Sequence, residues 1–313
     1  MRTDIMCHIG MQKAGSKAIQ HFSLANQDAL SKHGVTYARL TEKGAWHRTL
    51  FKDYDDTIDD AVAGLCRDHG RVVFSFEKAY VVDDDVIRRF TGHGASCHVF
   101  FVVREPVSWV NSWMNQIVKA HTSSHRQFKR FAVGSDNIAA VLSVDQQLAR
   151  WETVVGRDNI TAIEYIPQVN VLDAYLEWLQ IGDDARADFD FAPGDPNRAL
   201  DERSIRVFIN VKRRAQKLDR TNLSRVMREA HARLTDIAQA DSTPFRLVDD
   251  EMAAQIVETY QPAFDAVMAR YGRGNQPTHF DETRAALLKR RVLNDFTPKD
   301  DEKRIAGQIL RAA

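Results

Sequence analysis

The sequence predicts an α/β fold: a central parallel sheet whose strands are linked by crossover helices, with further helices at the C-terminal end. Three observations predict it. Short apolar runs alternate with amphipathic stretches through the first 182 residues. The first apolar run breaks into a helix through a glycine-bounded turn, Gly10-Met11-Gln12-Lys13-Ala14-Gly15. Beyond a segment rich in Asp, Gly and Pro the pattern becomes helical. A chain of 313 residues, 44% of them hydrophobic, is long enough to bury one large α/β core with additional helices. The organisation expected is a single domain, with residues 1–182 as the α/β core and 183–313 as a mainly helical portion.

Taken in order, Ile5-Met6-Cys7-His8-Ile9 marks a strand over 4–9, followed by a helix over 16–31 and a short strand over 34–37. A helix over 55–69 precedes the run Val72-Val73-Phe74-Ser75-Phe76, a strand over 72–76. Val99-Phe100-Phe101-Val102-Val103 marks the strand over 98–103, and Pro106, suited to a first helical turn, opens a helix over 106–119. In that helix Trp109, Trp113 and Met114 read as packing residues. A helix over 144–155, a strand over 159–165 and a helix over 169–179 complete the alternation, and 183–197 reads as loop. The later basic residues Lys212, Arg213, Arg214, Lys217, Arg220 and Arg225 read first as a solvated helix face. Neither a repeat nor a low-complexity tract occurs.

Composition excludes several classes of function. Basic and acidic residues balance at 43 each, so no global field draws the chain to nucleic acid. Cys7, Cys66 and Cys97 are an odd set without C-x-x-C spacing, which argues against a disulfide scaffold or structural zinc. His121 and His125 lie one helical turn apart but lack a third ligand, so no metal is expected. No stretch approaches the roughly 20 apolar residues of a membrane span, and the N-terminus lacks a signal-peptide core. A cytoplasmic enzyme or a trimmed catalytic domain is the expectation, with peripheral membrane contact left open.

Function is most legible in the turn after the first strand. Glycines let the backbone curl so that N–H groups face inward, the following helix adds its positive end, and Lys13 supplies a mobile cation. Gly10 and Gly15 have the spacing of the nucleotide-triphosphate loop G-x-x-x-x-G-K-[ST], but Ser16 and Lys17 stand in reverse order, which removes the hydroxyl that would hold Mg²⁺. The turn nevertheless implies a P-loop-like, three-layer α/β/α arrangement.

Here the chain resembles the sulfotransferases that use 3′-phosphoadenosine 5′-phosphosulfate (PAPS). Lys13-Ala14-Gly15-Ser16 fits their first motif, and Lys17 departs from it where the family has a second hydroxyl residue. Their second motif is an Arg at a strand end with a Ser about eight residues on; Arg104 and Ser112 stand at that spacing. An arginine fork and a serine hydroxyl are chemically suited to grip one phosphate. Asn197-Arg198-Ala199-Leu200-Asp201 is similar, in degenerate form, to a helix-opening segment of bacterial carbohydrate-type members.

The resemblance implies PAPS as co-substrate, 3′-phosphoadenosine 5′-phosphate as product, no metal, and a carbohydrate or glycolipid acceptor. Gln12, Lys13, Ala14, Gly15, Ser16 and Lys17 would form the cradle for the 5′-phosphosulfate, with Arg104, Ser112 and Arg198 toward the 3′-phosphate. Transfer to a hydroxyl also needs a base. Glu77 follows directly on a strand, where ligands gather in a parallel sheet, and Ser75-Phe76-Glu77 reads as the Ser-x-Glu of several carbohydrate sulfotransferases. His47 is the second candidate, because imidazole titrates near neutrality. An ATP-dependent kinase and a non-catalytic nucleotide-binding module stay open beside this reading.

Overall fold

The computed structural model describes residues 3–40, 51, 54–77, 82–120, 136–166, 169–191, 201–218, 223–237, 244–274 and 277–312. They divide into two compact units. The first takes in Met1–Pro106, Ala139–Asp195 and Tyr260–Asp281; the second takes in Val107–Ile138, Pro196–Thr259 and Glu282–Ala313.

The first unit is built on a sheet of five parallel strands: β1 (Asp4–Gly10), β2 (Thr36–Tyr37), β3 (Arg71–Glu77), β4 (Ser96–Val103) and β5 (Ile160–Glu164). Their order is β2-β3-β1-β4-β5. A parallel sheet covered on both faces reads as continuous apolar runs rather than alternation. That is why β1, β3 and β4 stand out in the sequence: Val72, Val73, Phe74, Ser75 and Phe76 are all buried. The chain leaves β1 toward β2 on one side and leaves β4 toward β5 on the other. The carboxyl ends of β1 and β4 therefore flank the topological switch point, where a parallel sheet opens a crevice.

Helices cover both faces of this sheet. Successive strand residues point to opposite sides, and the aromatic contacts show which helix lies where. On one face Phe22 of α1 (Ser16–Ala25) meets Tyr175 of α8 (Val171–Trp178) at 6.4 Å between ring centroids, and Phe100 of β4 stacks on Trp178 at 5.0 Å. On the other, Phe74 of β3 meets Phe90 of α4 (Asp84–Thr91) edge-on at 5.0 Å. There Phe51 also packs on Phe76 at 4.1 Å and on Trp151 of α7 (Val144–Val155) at 5.9 Å. The α/β/α layering follows. The short helices α2 (Gln27–Lys32) and α6 (Asp136–Leu142) and the longer α3 (Asp56–Asp68) complete the described connections, with Asp55 capping α3 by accepting from the Ile58 N–H at 2.9 Å.

Several expected boundaries shift. The helix expected over 16–31 is broken at Asn26. This buried side chain donates to the Phe22 and Asp190 carbonyls, both at 2.9 Å, and accepts from the Asp190 N–H at 2.7 Å. An Asn that satisfies backbone groups in this way competes with the helix. The strand expected over 34–37 is reduced to Thr36–Tyr37, and α4 and α6 lie where no helix was expected. A 3₁₀ turn, Asp183–Asp188, replaces part of the loop expected over 183–197; positions 192–200 lie outside the described residues.

The second unit is mostly helical: residues of α5 (Pro106–Ala120), then α9 (Glu202–Leu218), α10 (Leu223–Ile237), α11 (Asp250–Tyr271), α12 (Phe280–Leu288) and α13 (Asp300–Ala312). α11 and α12 also contribute residues to the first unit. A two-stranded parallel pair joins β6 (Phe245–Arg246) to β7 (Arg291–Val292). On α5, Trp109 and Met114 are buried and Trp109 stacks on Trp113 at 5.6 Å. Lys212 corrects the expectation of a solvated basic face on α9: it is 3% exposed, and burial lowers its pKa, whereas Arg213 and Arg214 are exposed. Among the described residues no helix is long and apolar enough to cross a membrane.

Arg206 and Glu302, both buried in the second unit, form an ion pair. The Arg206 guanidinium donates to both carboxylate oxygens of Glu302, from Nε at 2.9 and 3.0 Å and from Nη2 at 2.7 Å, and also to Glu202. Glu302 also accepts from the Lys299 N–H at 2.8 Å. Removing one member of a buried pair strands the other without compensation, whereas replacing both by apolar groups need not destabilise. Glu302→Ala is therefore expected to cost about 3–5 kcal/mol in urea unfolding at pH 7. Arg206→Met combined with Glu302→Leu should recover most of that; an equal loss in the double variant would mean that packing, not stranded charge, sets the cost.

His8 on β1 is fully buried and held neutral, its pKa lowered by burial from 6.5 to about 3. As pH falls the unfolded chain takes up this proton first, so stability declines from about pH 6.5 toward 3, by at most about 1.4 kcal/mol per unit. Urea-unfolding free energies of His8→Gln are expected to fall less steeply than wild type between pH 6 and pH 4. Parallel curves would remove His8 as the source.

Candidate functional site

The turn after β1 is shaped by two glycines, for different reasons. A Cβ on Gly10 would lie 2.0 Å from Ser16 Oγ, so this position is bare because the hydroxyl of the next helix rests on it. Gly15 sits at φ +88°, in the left-handed region, and a Cβ there would also crowd Val171 at 3.2 Å and the Tyr165 ring at 3.4 Å. Between them Lys13 takes φ +65° although it carries a side chain. Left-handed residues this close together turn the backbone into a concave nest of the kind that receives anions.

α1 starts directly from this turn. Gly15 is its N-cap residue and supplies no side chain, and no acid stands in its first turn. The leading N–H groups of α1 therefore meet no carboxylate of their own helix, and the positive end of the helix dipole faces the loop. Ser16, its first residue, is buried and donates from Oγ to the Met11 carbonyl at a long 3.3 Å. Gln12 and Ala14 are buried; Lys13 and Lys17 are half-exposed.

Arg104 meets this loop from the end of β4. Its Nη1 donates to the Lys13 carbonyl at 2.6 Å, and its guanidinium lies 5.2 Å from the centre of the Tyr165 ring. The first bond holds Lys13 in its left-handed conformation, and the second interaction, a cation over an aromatic face, holds the arginine. Tyr165 itself is fixed by its N–H donating to the Val103 carbonyl at 2.6 Å. One residue thus packs against both Gly15 and Arg104, and no motif singles it out; its only sequence signal is an aromatic at the end of a strand. Glu164 at the end of β5, which accepts from the His279 N–H at 2.7 Å, likewise carries no sequence signal.

Glu77, the last residue of β3, pairs in register with Gly10, so the parallel ladder places it beside the point where β1 opens into the loop. Glu77, Lys13, Gly15, Ser16 and Arg104 all belong to the first unit and lie at the carboxyl end of its sheet. Ser112 lies within α5 in the second unit and is half-buried. His47 and Arg198, like His121 and His125, fall outside the described residues. Among the described residues no cluster of His, Cys, Asp and Glu suits a metal ion.

One level below the loop lies a buried polar string. His8 and Ser75 are register partners, and His8 Nδ1 lies 2.8 Å from Ser75 Oγ. Ser75 also shares a side-chain hydrogen bond with Tyr37 on β2. The Ser75 of the Ser-x-Glu stretch therefore faces the interior, and of that stretch only Glu77 reaches the rim.

No protein-family model matches this chain, and no curated protein matches it. A solved structure, that of a sulfotransferase from Alicyclobacillus acidocaldarius, is similar to it over 77% of this chain and 97% of the other, with 14% sequence identity and a TM-score of 0.39.

Proposed function

We propose that this protein is a sulfotransferase that moves a sulfuryl group from PAPS to a hydroxyl of a carbohydrate or glycolipid acceptor. The observation that carries the reading is the bond from Arg104 Nη1 to the Lys13 carbonyl. It joins Lys13 of the first resembling stretch to Arg104 of the second, distant in sequence, at the sheet's carboxyl end. Around that bond stand the donors an anionic co-substrate requires: a concave backbone, the N-terminus of α1, the Lys13 ammonium and a guanidinium fork. The acceptor class rests on the resemblance of Ser75-Phe76-Glu77 and of Asn197-Arg198-Ala199-Leu200-Asp201 to stretches of carbohydrate sulfotransferases.

In this reading the bond between sulfur and the bridging phosphate oxygen breaks as a bond forms from sulfur to the acceptor oxygen, whose proton passes to Glu77. Lys13 neutralises the charge that grows on the departing phosphate, a contribution larger in the transition state than in the ground state. Arg104 takes the 3′-phosphate, and Gly15 and Ser16 line the cradle.

The co-substrate is tested by melting temperature, since a ligand that binds only the native state stabilises it by mass action. 3′-Phosphoadenosine 5′-phosphate is expected to raise it without added metal, and ATP much less. Strong Mg²⁺-dependent stabilisation by ATP with no response to the desulfated nucleotide would favour a kinase instead. By titration calorimetry, Arg104→Ala should weaken nucleotide binding by about 1.5–3 kcal/mol, the range for a hydrogen bond to a charged group.

The base is tested by turnover on an acceptor found by glycan screening. Glu77→Gln should keep nucleotide affinity while lowering turnover by roughly 10²–10⁴, and His47→Ala should cost much less. The reverse ranking would transfer the role to His47.

A further inference from the structure

Tyr37, Ser75 and His8 stand on the adjacent strands β2, β3 and β1 and are joined by side-chain hydrogen bonds whose donor and acceptor roles are set together. Each hydroxyl has a single proton. If Tyr37 donates to Ser75, the Ser75 proton goes to His8 Nδ1, and the neutral ring carries its own proton on Nε2. That second nitrogen is buried and has no partner among the described residues. A buried N–H left unpaired costs free energy, which demands a reason.

Its surroundings supply one. Cε1 of the His8 ring, the carbon between Nδ1 and Nε2, lies 3.1 Å from the point a Gly10 Cβ would occupy, and Ser16 Oγ lies 2.0 Å from that same point. The bare side of Gly10 is thus shared by the imidazole edge and the Ser16 hydroxyl, whose bond to the Met11 carbonyl is long at 3.3 Å. A side chain at residue 10 would separate the two groups.

We propose that His8 is a positioning residue for the anion loop: when an anion occupies the cradle, Ser16 turns its proton from Met11 to the anion and its oxygen accepts the His8 Nε2–H. The inference rests on the reading of this loop as an anion site and adds its source of alignment. The string then runs donor to acceptor from Tyr37 through Ser75, His8 and Ser16 to the anion. Four neutral dipoles are brought to bear with no charge in the core, and each polarises the next.

The test uses the whole chain with ¹⁵N-labelled histidine and two probes, sodium sulfate and 3′-phosphoadenosine 5′-phosphate. The expected result is an Nε2–H tautomer at His8 whose resonance moves when sulfate is added and stays still in Ser16→Ala. An Nδ1–H tautomer, or an Nε2 signal unmoved by sulfate that demonstrably binds, overturns the proposal. Variants give a second readout. His8→Asn should weaken sulfate binding about three- to tenfold, the net worth of one hydrogen bond. His8→Gln, whose amide nitrogen reaches the Nε2 position, should restore it to within about twofold. The loss should vanish in the Ser16→Ala background, as expected for coupled residues. Additive losses, or equal losses for Asn and Gln, would reduce His8 to a packing residue. A His8 response to sulfate without nucleotide binding would remove the PAPS reading and keep this one; absence of any anion binding would overturn both.

Discussion

The hydrogen bond from Arg104 to the Lys13 carbonyl is the constraint on which the candidate site depends. A lysine at φ +65° is not a conformation the chain adopts without help. The help comes from the neighbouring parallel strand: β4 ends one residue before Arg104, and β1 ends three residues before Lys13. The sheet's register therefore decides the shape of the loop. Tyr165 extends the same logic to the third strand, since its ring backs both the arginine and the glycine at the start of α1. A loop tied to three strands is fixed by the sheet itself, the kind of preorganisation on which electrostatic catalysis depends.

The second unit uses charge differently. Arg206 and Glu302 are nearly removed from water and fully engaged with each other, with Glu202 and with the backbone. A pair of this kind adds little net stability but specifies one docking of α9 on α13. At the loop the guanidinium of Arg104 is instead only partly buried, and one of its bonds goes to a neutral carbonyl. The same side chain thus serves in one place to join two helices through carboxylates and in the other to hold a loop through a backbone carbonyl.

How much of this is legible in the sequence follows from the range of the forces involved. The strands and the glycine turn are visible because burial on both faces writes an apolar run and because φ > 0 selects glycine, and both signals are local. The break at Asn26 is not visible: its partner is Asp190, a distant residue, and an Asn inside a helical pattern looks tolerable until that partner is known. Tyr165 and the Arg206–Glu302 pair are silent for the same reason. Lys212 misleads in the opposite direction, because a basic residue on a charged helix reads as solvated and the fold buries it. Glu77 is half legible. Its place at a strand end is local, whereas its register with Gly10 emerges only once β1 and β3 are paired.

The start of α1 shows the cost of such a site in the chain's own terms. Helices α3, α4 and α13 begin with acids in the first turn, which answer the helix dipole. α1 begins with no acid, no side-chain cap and a lysine as its second residue, so charge and dipole oppose each other there. Each such mismatch is worth a few tenths to about 1 kcal/mol, and the left-handed Lys13 adds strain of about the same size or more. Local rules broken together at one point, in a chain that keeps them at several other helix starts, are what a binding site leaves behind when the compensating charge belongs to the ligand. Under the proposed function, an anion bound at this turn would lie at the positive end of the dipole, beside Lys13 and Lys17. In that proposal Lys17, the residue that departs from the sulfotransferase pattern, exchanges the directional bond of a hydroxyl for a positive charge in the first turn of α1.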